Sequence, residues 1–238
     1  MLANTAAGPG PVAAIKATFE AAAELHAKYW GSESIQTLAW IDSNRNEQES
    51  AWQRTMGWSQ SVWASKRGGV PGLTIDPVTV AVIDASFAKL SWADHQAFKQ
   101  KSATTLIQGD FHPYNAMWMD GRVVLYDWEM IKAGSAGQEL GQFMLGNIDI
   151  ELRRSAEKGL VAGYRTALIE RGVDEAACTA EGLWDEYVFG GAAKWAWLMP
   201  IMFTFIPEPN KMQWFLDQFA AFVADHGVTP ENVPQPRS

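Results

Sequence analysis

The chain holds a single cysteine, Cys178, in 238 residues. A lone thiol closes no intramolecular disulfide and builds no cysteine-rich metal site, and such usage fits a reducing compartment, the cytoplasm. It sits in Ala176-Ala177-Cys178-Thr179 with no basic neighbour, so it reads as a buried, inert thiol. Basic charge is also scarce: 19 Lys+Arg stand against 27 Asp+Glu, a net charge of -8. No basic stripe offsets this, which argues against nucleic acid and anionic membrane surfaces as partners. The N-terminus lacks a basic segment followed by an apolar one, so no secretory signal is expected. Long hydrophobic runs are missing too. The longest, Trp195 to Ile206, contains Pro200 and falls short of the roughly 20 residues that span a bilayer. There is no internal repeat.

Hydrophobic residues make up 47% of the chain, and 12 are tryptophan. That composition excludes disorder for most of the length and supplies one core. The expected organisation is a frayed N-terminus over 1–10, one folded unit over 11–226 and a flexible tail over 227–238. Pro11 opens a helical pattern through Ile15 and Phe19 that Gly31 stops. Asp42 to Asn46 offers N-caps for a second helix carrying Trp52, Met56 and Trp63 and ended by Gly68-Gly69. Asp76-Pro77 starts a third helical region, broken near Ser91, that runs to about Lys101. Period-two patterning is confined to the middle: Thr104 to Gln108, Ala116 to Met119 and Arg122 to Tyr126. Asp120-Gly121 between the last two is a hairpin signal. Helices are expected again near 138–149, 151–171, 175–199 and 209–226. The fold class is therefore mainly α, a helical bundle with a small central β-hairpin, and neither a doubly wound sheet nor an all-β sandwich.

The chemistry concentrates in Leu106-Ile-Gln-Gly-Asp-Phe-His-Pro-Tyr-Asn115 and Val123-Val-Leu-Tyr-Asp-Trp-Glu129. Asp110 and Asn115 follow a short strand, and Asp127 follows the hairpin. Asn115 and Asp127 carry the hard oxygen donors that Mg²⁺ prefers. The Asp110 carboxylate can accept a hydroxyl proton. This spacing resembles the phosphotransferase branch of the protein-kinase-like fold, closest to the group of aminoglycoside phosphotransferases, choline kinases and ecdysteroid-kinase-like proteins. That group carries a His-Gly-Asp-x-x-x-x-Asn loop and then an Asp-Trp or Asp-Phe metal turn. Gly109-Asp110, Asn115 and Asp127-Trp128-Glu129 match it, while Gln108 stands where the group has His. Ala23 to Gly31 and Gly137 to Phe143 look like its flanking helices, with Glu139 where Asp is usual.

The resemblance implies a protein-kinase-like C-terminal lobe, with Asp110 as catalytic residue and Asn115 and Asp127 as Mg²⁺ ligands that bind the cofactor phosphates. It implies ATP as co-substrate and a small-molecule alcohol as acceptor. The many aromatics favour a bulky, fairly apolar alcohol over a polycation. Upstream of Asp110 there is no glycine-rich loop between strands and no strand lysine, so the N-lobe is expected to be absent. The chain then reads as a truncated gene product, a fragment or half of a split kinase, inactive or incomplete unless a separate N-lobe polypeptide joins it. The rival is a non-catalytic lobe remnant that binds a small molecule or a protein. A third reading, a helical metal-dependent hydrolase using the same carboxylates, lacks the His ligands usual for such sites.

His112 is expected to cap the loop, His26 to be a partly buried structural histidine, and His95 and His226 to lie at the surface. Trp184, Tyr187, Trp195, Trp197, Met199, Phe203 and Phe205 are expected to be either helix core or the wall of an acceptor pocket.

Overall fold

The computed structural model describes residues 10–31, 35, 38, 48–99 and 104–238. Most of residues 1–10 and the Asp42–Asn46 capping segment lie outside the described residues. Helix α1 spans Pro11–Tyr29, with proline in its first turn and Gly31 in the left-handed region beyond its end. Its buried stripe is Ala14, Ile15, Phe19, Ala22, Ala23 and His26, the i, i+3, i+4 face the sequence showed. Helices α2 (Glu49–Lys66), α3 (Pro77–Ala88) and α4 (Trp92–Lys99) follow. Asp76 caps α3 by accepting from the Val78 N–H.

Strands β2 (Ala116–Met119) and β3 (Arg122–Leu125) pair antiparallel across the Asp120-Gly121 turn. Both turn residues have positive φ, 50° and 79°, as the two-residue turn requires. The strand after α4, β1 (Thr104–Ile107), pairs with a strand the sequence did not mark, β4 (Lys132–Ser135). Among the described residues the β content is thus two two-stranded antiparallel sheets, not one hairpin. Lys-Ala-Gly-Ser has no apolar alternation, so β4 exists because β1 is there to pair with it.

Helices α5 (Ala136–Asn147) and α6 (Ile150–Glu170) come next, capped by Ser135 and Asp149. The continuous helix expected over 175–199 is instead α7 (Ala180–Asp185), a wide π turn (Glu186–Gly190) and α8 (Gly191–Phe205), which continues through Pro200. Helix α9 (Pro209–Asp225) closes the bundle. Among the described residues no helix is long and apolar enough to cross a membrane.

The core sits where α1, α5, α6, α8 and α9 meet. At its centre Phe19 and Phe143 pack edge-on at 5.6 Å, and Phe111 lies 5.2 Å from Phe143. Helix α5 comes so close to the π turn that a Cβ on Gly141 would stand 2.3 Å from the Tyr187 carbonyl oxygen. Tyr187, Trp195 and Met199 are buried and Phe205 is exposed, so this aromatic run is mainly core.

Two surface expectations fail. His95 stacks on Trp92 at 5.3 Å between α4 and α2. His226 is mostly covered, in contact with Glu157 and Arg153. The tail is not loose either. Val233 is 1% exposed, Lys89 Nζ donates to the carbonyls of Pro230, Glu231 and Val233, and the Arg237 N–H donates to the Ala193 carbonyl at 3.1 Å. Proline spacing alone hid this, because the acceptors are backbone groups and no side-chain pattern announces them.

Candidate active site

The loop between β1 and β2 is anchored on both sides of Asp110. Phe111 drives into the core at 1% exposure and fixes the residue beside it. That burial contributes roughly 2–3 kcal/mol. Gly109 has φ 87°, and a Cβ there would lie 2.0 Å from the Met130 carbonyl oxygen. Only glycine lets the loop pass the turn that follows Asp127. The Gly109 N–H donates to Glu139 Oε1 at 2.5 Å, and its carbonyl accepts from Lys194 Nζ at 3.2 Å.

Asp110 projects from this clamp with its side chain 42% exposed. Gln142 Nε2 donates to its Oδ1 at 3.3 Å. His112 Nδ1 accepts from the Tyr114 N–H, which places the ring proton on Nε2, and Nε2 donates to Asp110 Oδ2 at 3.2 Å. His112 therefore caps the short 3₁₀ turn Pro113–Asn115, as expected, and also holds Asp110. Asn115 Nδ2 donates to the Asp110 carbonyl at 3.0 Å and reaches Oδ2 at 3.4 Å. Burial alone would push the Asp110 carboxyl up. The His112 hydrogen bond, the Lys194 charge and the Gln142 amide outweigh it, so the carboxyl sits below its ordinary value. It is a carboxylate at neutral pH.

Gln108, where the resembling group has His, links the two halves of the site. Its Oε1 accepts from the Asp110 N–H at 2.8 Å, and its Nε2 donates to the carbonyls of Tyr126 and Asp127 at 3.2 and 2.6 Å. The backbones of Asp110 and Asp127 thus share one side-chain amide. The Tyr126 N–H also donates to the Asn115 carbonyl at 3.1 Å. Asp127 itself is exposed and has φ 58°, a left-handed conformation that a non-glycine residue holds at a cost of order 1 kcal/mol. Glu139, in place of the usual Asp, is 1% exposed and also receives His26 Nε2 at 3.0 Å. His26 Nδ1 in turn meets the Tyr164 hydroxyl at 2.5 Å. His26 is fully buried, deeper than its helix pattern suggested.

The structure joins Asp110 to Asn115 directly, links the Asp127 carbonyl to the Asp110 N–H through Gln108, and bonds Tyr126, the residue before Asp127, to the Asn115 carbonyl. Among the described residues no group of three or more His, Cys, Asp or Glu is arranged to hold a metal ion. The donors at this site are instead one amide oxygen and one carboxylate. Asn115 spends its Nδ2 on Asp110, which leaves its Oδ1 without a hydrogen bond among the described residues, and the Asp127 carboxylate has no partner there either. That donor set fits Mg²⁺, which takes one or two protein oxygens and fills its other positions with water and phosphate. Sequence reasoning missed Gln142 and Lys194. Lys194 left a signal: it is the charge inside the apolar run Gly191 to Ile201.

A model of the Phosphotransferase enzyme family (APH) matches residues 13–177, well over half of the chain. The chain belongs to that family. Comparison with curated proteins gave no match.

Proposed function

We propose that the chain is the catalytic-loop lobe of an ATP-dependent small-molecule kinase with a protein-kinase-like C-terminal lobe, acting on the hydroxyl of an alcohol. The observation that carries this reading is Asp110: an ionised, part-exposed carboxylate locked by His112, Asn115 and Gln142 in a chain of the phosphotransferase family. In this reading the alcohol oxygen bonds to the γ-phosphorus, the bond from phosphorus to the ADP oxygen breaks, and the hydroxyl proton passes to Asp110. Asn115 Oδ1 and the Asp127 carboxylate would hold Mg²⁺, which supplies neutralisation of phosphate charge. Gln108 keeps the two sides in register, and His112 keeps Asp110 from turning away.

The test is Mg²⁺-dependent ATP binding by calorimetry, followed by ADP release with a panel of alcohols. Binding that needs Mg²⁺ and weakens in Asp127→Asn, with release that drops at least about a hundredfold in Asp110→Asn, supports the reading. No Mg²⁺-dependent nucleotide binding, either by the chain alone or with an N-lobe polypeptide supplied, overturns it. A second reading, a non-catalytic binding module, is favoured by one observation. Tyr114, Met117, Met119, Tyr126 and Trp128 stand exposed on the 3₁₀ turn, the hairpin and the segment after it. Ligand binding that survives Asp127→Asn unchanged, without ADP release, would select it.

A further inference from the structure

Lys194 is 1% exposed on α8, and among the described residues no carboxylate lies within ion-pair distance of it. A buried ammonium without a paired anion is expensive, and a leucine or methionine would fill the same place between Ala193 and Trp195 at no such cost. Its contacts show what it does there. Nζ donates to the Gly109 carbonyl at 3.2 Å and lies 4.6 Å from the centre of the Trp197 ring. On the opposite side of the same residue the Gly109 N–H is held by Glu139, which His26 fixes in turn. A buried cation and a buried anion grip Gly109 from its two polar ends, one residue before Asp110. Trp197 keeps the cation in place from α8, and Ser59 of α2 holds the Trp197 carbonyl at 2.8 Å.

We propose that Lys194 is a positioning residue for phosphoryl transfer, fixing the Gly109 carbonyl and through it the aim of the Asp110 carboxylate. The proposal rests on the reading of Asp110 as the proton acceptor. A misplacement of about 1 Å at such a group costs on the order of a hundredfold in rate.

The experiment compares Lys194→Met and Lys194→Arg in the full chain. In Lys194→Met, kcat falls about a hundredfold or more while KM for ATP stays within about threefold. Lys194→Arg, which keeps a charged donor, recovers at least about a tenth of wild-type turnover. A folded Lys194→Met with wild-type kcat, or a rise in KM alone, overturns the proposal. So does equal loss in both variants with melting temperatures that fall in parallel, since that is a structural role.

A second readout needs no turnover: hydrogen exchange at the Gly109 amide. Exchange in Lys194→Met speeds at least about tenfold against that of Leu106 in β1, and an unchanged rate overturns the proposal. If Lys194→Met does not fold, Gly109 exchange in Lys194→Arg decides, with protection within about threefold of wild type expected and its loss contrary. If the unaltered chain transfers no phosphate with any acceptor even when an N-lobe polypeptide is supplied, the reading of Asp110 fails, and Gly109 exchange alone reports whether Lys194 holds the loop.

Discussion

Around Asp110 the charges of a part-exposed carboxylate and a buried ammonium support each other against burial without touching. The Lys194 charge helps hold the Asp110 carboxyl below its ordinary value, while burial pulls Lys194 down to about 8 against the opposing pull of Asp110 and Glu139. The consequence for stability has a definite sign. Below pH 8 Lys194 is protonated folded and unfolded, and the folded state carries the whole desolvation cost. Between about 8 and the ordinary 10.5 the unfolded chain binds more protons, so stability rises with pH. From pH 7.5 to 10, urea unfolding should show wild type gaining about 2 kcal/mol relative to Lys194→Met. A flat difference would mean that Lys194 titrates normally. Gly109 sets a second residue-scale expectation. At φ 87° with the Met130 carbonyl oxygen 2.0 Å from any Cβ, Gly109→Ala should cost at least about 2 kcal/mol in the same measurement and reduce turnover further than that loss explains.

Elements differ in how far their own residues determine them. Helix α1 and the β2–β3 hairpin were legible because each carries its own signal: Pro11 and the Phe19 stripe in one, Asp120-Gly121 in the other. The order Asp110, Asn115, Asp127 was legible for the same local reason. Strand β4 and the π turn were not, because partners make them. Lys132–Ser135 becomes a strand against Thr104–Ile107, and Glu186–Gly190 widens where α5 leans on it through Gly141. The buried relay His26–Glu139–Gly109 spans three elements far apart in sequence, and no spacing rule finds it. The α5 contact gives an element-scale prediction. Gly141→Val would push backbone against the Tyr187 carbonyl and Gly191, and neither can rotate aside as a side-chain tip could. Thermal unfolding should show a loss of about 3 kcal/mol. A stable Gly141→Val would mean that the two helices slide apart freely.

The last ten residues act on the molecule as a whole. They reach α3 through a hydrogen bond from Ser86 Oγ to the Pro234 carbonyl and its C-cap through three from Lys89. They reach the segment before α4 through Gln235, which accepts from the Ser91 N–H. Arg237 bonds Glu186 in the π turn at 2.7 Å, and its N–H holds the Ala193 carbonyl one residue before Lys194. Lys132 at the start of β4 bonds the Ser238 carbonyl. One short segment therefore ties the outer helices, the π turn and the strand behind the Asp110 loop into one body. Removing residues 229–238 exposes what Val233 covered and strips Lys89 of its three carbonyl acceptors. Val233 alone is worth about 1.5–3 kcal/mol by burial, and the lost hydrogen bonds add about 1 kcal/mol each at most. A net loss of about 3 kcal/mol lowers the melting temperature of a chain this size by roughly 6–12 °C. The strain should also travel inward. With the Ala193 carbonyl released, the first turn of α8 loosens, and the Gly109 amide exchanges faster in the truncated chain than in the full one. A truncation that melts at the wild-type temperature would show that these contacts merely decorate the surface. One that melts early with Gly109 still protected would separate the tail's hold on the bundle from any hold on the loop.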